Sequence, residues 1–459
     1  MLFNSYGFLF VFLPVVLTGY YSFGRWGARA ASAWIAAASL FFYAYWDVRY
    51  LPLLLLSVAW NFFVATRLAG HGSRGWLVIG IAADVCLLGW YKYAGFFVAT
   101  ADALLGTSVP VPQVLLPIGI SFFTFTQIGY LVDVYRGAAR RVDALTYLEF
   151  VTVFPHLVAG PIISCREVAP QLRSSARTRV EYGHLARGLM LFLCGLFKKA
   201  AVADAIAPWA NAVFDAPVGV SVVEAWLGAL AYTLQLYFDF SGYSEMALGL
   251  ALMLNLRFPL NFDAPYRSTS LVEFWRRWHI TLGFWVRDYL YIPLGGNRCG
   301  FFRHLGNLFF SMLVIGLWHG AGWTFVVWGG LHGILLSLNH VWRRFGCRLP
   351  VALSWCLTFL AVLVCWVFFR AADVGQAFAV LSSMAGQADV VPAGTPRLPL
   401  LPCAGVLGAL LIAALAVPHP ARFVPRLPLS WAVLAFFSLG GAYALLAVTR
   451  PSEFLYFQF

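Results

Sequence analysis

Long apolar runs, separated by short polar or basic stretches, repeat along almost the whole chain. Several runs reach the ~20 residues that a helix needs to cross a bilayer, and the ~10-residue alternation typical of a membrane β-barrel is missing. The pattern therefore predicts an all-α, polytopic integral membrane protein with about eleven spanning helices. The runs include residues 8–23, 31–46, 51–69, 76–106, 116–135, 185–199, 226–256, 321–341, 351–369, 400–417 and 428–448.

Composition supports that class. Of the 459 residues, 61% are hydrophobic and 11% are charged, whereas soluble proteins carry ~25% charged residues. No stretch resembles a separate soluble domain, so we expect one transmembrane domain over residues 1–459. The eight cysteines form no C-x-x-C pair, which argues against a disulfide framework and a zinc site, and we expect no metal.

The net charge of +12 is best explained by membrane topology. Lys and Arg gather on cytoplasmic loops, so we expect no nucleic-acid partner, although some of these side chains could attract an anionic substrate. Arg25 and Arg29 follow the first run, and Arg67 and Arg74 lie at the end of the third run and just after it, which predicts that these connections lie inside and the N-terminus outside. The first run has no basic region before it, so we interpret it as an uncleaved span.

A broken hydrophobic segment lies at residues 154–161. Pro155, Gly160 and Pro161 forbid a regular spanning helix. Irregular backbone at membrane depth survives only when it is buried in protein or lines a water-filled cavity, so we predict a re-entrant element. His156 either lines that cavity or caps the interrupted backbone, and the second interpretation is favoured.

Polar side chains, among them Asp239 and Glu245, interrupt residues 226–256. They form either a network that joins packed helices or the polar wall of a substrate tunnel. The network is favoured for Glu245, whereas Asp239 stays a candidate substrate-binding residue. In an earlier run, Lys92 either pairs with Asp84 or extends to the membrane interface.

Residues 271–333 carry the candidate chemistry. His319 lies in apolar sequence between Gly316 and Gly320, a G-x-x-x-G spacing that lets a second helix approach closely. An ionisable group inside a span is costly and often functional, and a tightly packed imidazole can act as a general base toward a hydroxyl. The alternative is a buried histidine that only joins helices.

His279 lies four residues after Trp275, on the same helical face, in a basic sequence. Arg276, Arg277 and the arginines that follow suit the phosphates of a nucleotide-containing donor such as coenzyme A. They equally suit an interfacial helix on the cytoplasmic side. We predict that His279 lies near that interface and that His319 lies deeper.

Other chemistries lack their motifs. The sequence has no G-x-x-x-x-G-K-[ST], H-E-x-x-H or G-x-S-x-G, which argues against ATP hydrolysis, zincin and α/β-hydrolase mechanisms. A base without an evident nucleophile favours direct transfer from an activated donor. From another class, the alternative is a transporter or flippase with His319 in a proton relay, which the lack of a visible repeat weakens.

Several motifs, in order, resemble the membrane-bound O-acyltransferase family, and within it the bacterial proteins that acetylate polysaccharides such as alginate. The resemblance covers the chain from Met1 to Phe459. The motifs are F-P-H-L-V-A-G-P at 154–161, Q-L-Y-F-D-F-S-G-Y at 235–243, F-W-R-R-W-H at 274–279, P-L-G-G-N-R at 293–298, L-W-H-G at 317–320 and E-F-L-Y-F-Q-F at 453–459.

This resemblance implies tilted spanning helices, with re-entrant and interfacial helices, around a central tunnel. It implies that His319 and His279 are catalytic and that acetyl-CoA is the acyl donor, with no bound cofactor. It further implies a lipid-embedded protein of the bacterial inner membrane. The acceptor would be an extracellular polysaccharide, such as alginate or cellulose, reached through a periplasmic SGNH-type acetyltransferase partner. The candidate substrate-binding residues are Trp275, Arg276, Arg277, Asn297, Arg298, Trp318 and Asp239.

Within the same class, two alternatives stay open. The protein could instead be a member that transfers D-alanyl groups to teichoic acid, with a carrier protein as the donor. It could also be a member that transfers acetyl groups to peptidoglycan.

Overall fold

The computed structural model describes residues 1–110, 114–215, 220–346, 348–387, 397–448 and 455. Every regular element within these residues is a helix, which confirms the all-α prediction. The first helices are α1 (Leu13–Gly24), α2 (Ala28–Ala44), α3 (Leu51–His71), α4 (Arg74–Leu88), α5 (Ala94–Leu105), α6 (Ile120–Tyr135), α7 (Ala144–Thr152), α8 (Phe154–Leu157), α9 (Cys165–Arg173), α10 (Tyr182–Leu196), α11 (Asp204–Phe214) and α12 (Val222–Met253). They are followed by α13 (Leu271–Arg277), α14 (Ile280–Val286), α15 (Phe301–His319), α16 (Trp323–Arg344), α17 (Val351–Arg370), α18 (Val374–Met384), α19 (Leu400–Ala416), α20 (Pro420–Phe423) and α21 (Trp431–Ala447).

Six helical stretches within the described residues are long and apolar enough to cross a membrane, and shorter apolar helices accompany them. This confirms the polytopic membrane class, whereas the total of about eleven spans stays a prediction. Of the terminal motif at 453–459, all but Leu455 lies outside the described residues. The long stretches are Val48–Gly70, Arg74–Leu105, Phe301–His319, Trp323–Arg344, Val351–Arg370 and Leu400–Arg426, and the shorter ones are Phe8–Gly24, Val374–Met384 and Trp431–Ala447.

The segment predicted to be re-entrant is broken as expected. Helix α8 contains four residues, and irregular backbone follows it. His156 is buried, and its Nε2 lies 2.9 Å from the carbonyl oxygen of Phe150, in the last turn of α7. The histidine therefore caps a helix end, which confirms that interpretation. Gly119, the residue before α6, lies against this segment and has a left-handed backbone with φ 73°. A methyl group on Gly119 would lie 2.7 Å from the Leu157 carbonyl oxygen.

Buried ion pairs join α12 to its neighbours. Glu245 is fully buried and pairs with Lys198, while Nε2 of His419 lies 3.2 Å from the same carboxylate. Asp239 pairs with Lys199 at 2.6 Å. The network interpretation is thus confirmed for Glu245.

Helices α15 and α16 approach each other through glycine. A methyl group at Gly329 would lie 3.1 Å from the Cα atom of Gly316, and one at Gly333 would meet the backbone of Phe309 at 3.0 Å. The predicted close approach is therefore confirmed at Gly316. Gly320 lies beyond the end of α15 in extended backbone, and a methyl group there would clash with the ring of Phe325 in α16, so its small size also permits the contact.

Candidate active site

His319 is the last residue of α15 and is 3% exposed. Its ring packs edge-on against Trp328 of α16 and Phe369 of α17, with ring centroids 5.2 Å and 5.3 Å away. Packing of this kind against two aromatic rings from different helices restricts how the imidazole can turn.

His279 forms the link between α13 and α14 and is fully buried. Its backbone is left-handed, with φ 43°, a conformation that costs about 1–3 kcal/mol outside glycine. A neighbouring segment holds this link in place, because Ile280 N–H donates to the Asn261 carbonyl and Asp263 N–H donates to the Arg277 carbonyl, each at 2.9 Å. Strained backbone that the surrounding structure maintains is frequent at functional sites.

The structure brings the two histidines predicted to be catalytic together. Their ring centroids are 6.3 Å apart, and Trp318 packs against both rings, 5.9 Å from His279 and 5.0 Å from His319. His279 is fully buried whereas Arg276 is exposed, and the position of His279 near a membrane interface stays a prediction. At this spacing, both imidazoles can reach one bound group.

Asn261 determines which nitrogen of His279 carries the proton. Its Oδ1 lies 3.0 Å from His279 Nδ1 and also accepts from Thr281 Oγ1 at 2.9 Å, while its amide nitrogen donates to Ser244 Oγ at 3.3 Å. An amide oxygen only accepts, so neutral His279 has its proton on Nδ1 and its lone pair on Nε2. Sequence analysis missed Asn261, because no motif marks it.

His332 on α16 is a third buried histidine beside the pair, and sequence analysis missed it as well. Its Nδ1 accepts a hydrogen bond from the indole of Trp275 at 3.2 Å. Trp328 lies between the histidines, with its centroid 4.9 Å from His332 and 5.2 Å from His319. The sequence marks His332 only weakly, because it follows Trp328 by one helical turn in a glycine-rich helix.

Within the described ranges, no group of three or more His, Cys, Asp or Glu side chains could hold a metal ion.

Two cavities lie along successive turns of α15. The large cavity, of about 720 Å³, is lined by Trp275, Arg276 and Asn297, and it touches α15 as far as Ile315. The small cavity, of about 80 Å³, is lined by Trp318 and His319 themselves, with Lys92, Gly119 and Ser121 opposite them. One turn of helix, about 6 Å, separates Ile315 from His319. His319 therefore lies in the wall of the small cavity, one helical turn beyond the large cavity.

The other candidate substrate-binding residues do not line these cavities. Arg277 pairs with Glu273 at 2.9 Å, and Asp239 belongs to the ion-pair network of α12. Partial burial acts to raise the pKa of Glu273, but hydrogen bonds from Thr269 and the charge of Arg277 outweigh it and hold that pKa below its usual value. Arg298 is exposed beside the large cavity without lining it. A contact of these residues with substrate stays a prediction.

Helix α6 connects the two sides of the site. Its first turn lines the small cavity, and its 16 residues extend for about 24 Å. Beyond its other end, the Arg136 guanidinium donates to the Asp288 carbonyl at 3.1 Å. Asp288 is next to Arg287, which lines the large cavity. The small cavity and the basic surface near the large cavity are thus at opposite ends of one helix.

Comparison with known proteins matches residues 85–371, more than half of the chain, to the model of the membrane-bound O-acyltransferase family. The chain is 41% identical to the peptidoglycan O-acetyltransferase of Helicobacter pylori, over 84% of this chain and 80% of that protein. It is 43% identical to a probable alginate O-acetylase of Azotobacter vinelandii, over 84% of this chain and 78% of that protein. A teichoic acid D-alanyltransferase of Streptococcus thermophilus is 29% identical over 56% of this chain and 65% of its own length.

Proposed function

The chain belongs to the membrane-bound O-acyltransferase family, and from that premise we propose that it takes acetyl groups from cytosolic acetyl-CoA for the O-acetylation of an extracellular polysaccharide. That it is a multi-pass membrane acyltransferase of the O-acetylase type follows from the family and the relatives. The names of the two more similar relatives support acetyl as the transferred group. A D-alanyl group has weaker support, because that relative matches less of the chain at lower identity.

One observation carries the proposed mechanism: two buried histidines lie 6.3 Å apart, and one of them, His319, lines the small cavity one helical turn beyond the large cavity. A donor and an acceptor that enter from different sides would meet there. The large cavity has room for the long arm of a thioester donor, since ligand sites commonly measure about 300–1,000 Å³. The small cavity, against His319, suits the end of an acceptor that carries a hydroxyl group.

The chemistry needs one base and an activated donor. The acceptor oxygen attacks the thioester carbonyl carbon while His319 takes the hydroxyl proton. The carbon–sulfur bond then breaks, and the proton passes from His319 to the departing thiolate. Because the thioester is already activated, the transfer needs no ATP. With its proton on Nδ1, His279 acts as a hydrogen-bond acceptor at Nε2, so we assign it the orientation of the donor and not donation to an oxyanion.

Charge at the mouth of the large cavity supports entry of a phosphate-bearing donor there. Arg276 and Arg287 line this cavity with His304 and His340. Arginine suits bidentate contact with phosphate, and coenzyme A carries several phosphates. The basic residues also favour the cytosolic side for this mouth. We therefore assign the large cavity to cytosolic acetyl-CoA, the small cavity to the outer side, and the chain to the bacterial inner membrane.

Transfer to the polymer itself would need a further protein. The small cavity holds only about 80 Å³, which is too little for a polysaccharide strand. We infer that a periplasmic partner of the SGNH acetyltransferase class receives the acetyl group and passes it to the polymer.

A complementation experiment tests this function. The gene is deleted in its host, and the full chain is returned as wild type, His319→Ala or His184→Ala. His184 is the control, because it bonds to Asn255 at 2.7 Å and lines neither cavity. Ester-linked acetate on secreted polysaccharide, acetate on peptidoglycan and D-alanyl esters on the cell wall are each measured.

We expect His319→Ala to lower acetate on the polysaccharide by about 10²–10⁴-fold at normal protein level, and His184→Ala to leave it unchanged. If the deletion strain loses only the acetate on peptidoglycan, or only the D-alanyl esters on the cell wall, that polymer and not the secreted polysaccharide is the acceptor. Normal acetylation by a well-expressed His319→Ala protein would falsify the catalytic assignment.

A further inference from the structure

The C-terminal end of α15 is held by side chains from a distant part of the chain. The Tyr93 hydroxyl donates to the carbonyl oxygen of Leu317 at 2.6 Å. The Lys92 ammonium donates to the carbonyl oxygens of Trp318 at 2.6 Å and His319 at 3.2 Å. Two consecutive residues thus bind the last three carbonyl groups of the helix that ends in His319.

These carbonyl groups need such partners. The last four carbonyl groups of an α-helix have no N–H partner inside the helix, and a cation near this end is favourable because of the helix dipole. At the end of α15 the next residues cannot continue the helix, since Gly320 is extended. Lys92 and Tyr93 therefore supply what the local chain does not.

Lys92 and Tyr93 reach α15 from a π-helical segment, Gly89–Tyr93, between α4 and α5. Such segments within α-helices are rare and frequently lie at functional sites. Of the two sequence-based interpretations of Lys92, the pairing with Asp84 is wrong, because Asp84 accepts from Asn61 at 2.8 Å while the Lys92 ammonium binds the end of α15. The position of Lys92 near the membrane interface stays a prediction.

Lys92 also joins the end of α15 to a third element. Its ammonium lies 3.4 Å from Ser121 Oγ in the first turn of α6, and Lys92, Ser121 and His319 all line the small cavity. The three N–H bonds of the ammonium are thus directed at two carbonyl groups and one hydroxyl group. Their arrangement fixes the backbone of His319 relative to the wall of the cavity.

We propose that Lys92 and Tyr93 form a clamp that positions His319 for transfer. The inference rests on the catalytic role of His319 proposed above. A displacement of about 1 Å at a reacting group can cost about 10²-fold in rate, so the geometry of this helix end bears directly on turnover. Lys92 and Tyr93 are positioning residues: they act through His319 and take no part in bond making.

The test compares variants of the full chain in inverted membrane vesicles from the polymer-producing strain, supplied with [¹⁴C]acetyl-CoA. The variants are Lys92→Met, Lys92→Arg and Tyr93→Phe, with His319→Ala in parallel. Tyr21→Phe is the matched control, because the Tyr21 hydroxyl donates to the carbonyl oxygen of Met253, the last residue of α12, at 2.7 Å. It removes the same kind of bond from another helix end.

We expect Lys92→Met to lower kcat per folded molecule by about 10–100-fold, and Tyr93→Phe by about 3–10-fold, as for charged and neutral hydrogen bonds. The KM for acetyl-CoA should stay unchanged, because the donor cavity is intact. Lys92→Arg should recover part of the rate, and Tyr21→Phe should retain wild-type kcat.

The outcomes separate this inference from the proposed function. If His319→Ala is inactive while Lys92→Met and Tyr93→Phe keep wild-type kcat, the clamp is refuted and the catalytic assignment stands. If Tyr21→Phe loses as much kcat as Tyr93→Phe, the effect belongs to helix packing in general and the clamp is also refuted. If His319→Ala retains activity, the proposed function itself fails.

Discussion

Close packing of α15 against α16 should control the activity of His319, and adjacent glycines offer a direct test. A methyl group at Gly329 would lie 2.5 Å from the Met312 carbonyl oxygen and 3.1 Å from the Cα atom of Gly316. A methyl group at Gly330, the next residue, would meet only the side chain of Leu313, at 3.7 Å, which is ordinary contact. Gly329→Ala and Gly330→Ala thus add the same atoms to one helix in different surroundings.

The expected magnitude follows from these distances. At Gly329 the two helices must separate by about 1 Å before the added carbon reaches a normal contact distance of ~3.5 Å. Overpacking of this kind costs about 1–3 kcal/mol, more than the ~0.5–1 kcal/mol gained when alanine replaces glycine in a helix. Gly316 lies one turn before His319, so the histidine should move with the helix, and a 1 Å displacement corresponds to a loss of about 10²-fold.

The assay is acetyl transfer from [¹⁴C]acetyl-CoA in membrane vesicles, together with thermal unfolding of the detergent-purified chain. We expect Gly329→Ala to lose rate and unfold at a lower temperature, and Gly330→Ala to match the wild type or exceed its stability slightly. Equal activity and stability in the two variants would refute the role given to this contact.

Two further predictions concern the histidine pair and the donor entrance. Asn261→Asp should move the acidic limb of the pH–rate profile to higher pH, because a carboxylate at His279 Nδ1 favours the imidazolium form. Asn261→Ala should lower the rate about tenfold without that movement, and a profile identical to wild type in both variants would contradict the tautomer assignment. Arg276→Ala should raise the KM for acetyl-CoA about 3–10-fold, more at low than at high salt, whereas Arg140→Ala, which is exposed and outside the cavity, should leave it unchanged. Equal KM values in the two variants would argue against donor entry past Arg276.

Some of the site could be predicted from the sequence because its signal is local. His319 stands out as an ionisable residue in an apolar helix beside glycines, and the structure buries it among aromatic rings. His279 follows a basic tetrapeptide, which indicated a functional segment but not that the side chain is fully buried. Its backbone is left-handed, and no periodic pattern reports such a turn.

The supporting residues could not be predicted, because their partners are far away in the chain. Lys92 contacts the carbonyl oxygen of a residue 226 positions later, and Asn261 precedes His279 by 18 positions in a stretch of irregular backbone. An isolated lysine in an apolar run resembles one that extends to the interface, and an isolated asparagine resembles a turn residue. Only the folded arrangement shows that each binds one member of the histidine pair.

The two histidines are held by different means, and this difference suits their proposed roles. Asn261 binds the ring of His279, so it fixes which nitrogen carries the proton. Lys92 and Tyr93 bind the backbone at His319 and leave its ring nitrogens to other contacts. His319 lines the small cavity, which we assign to the acceptor, whereas His279 lines neither the small nor the large cavity. These positions, together with the tautomer that Asn261 sets, favour His319, rather than His279, as the residue that takes the proton of the acceptor.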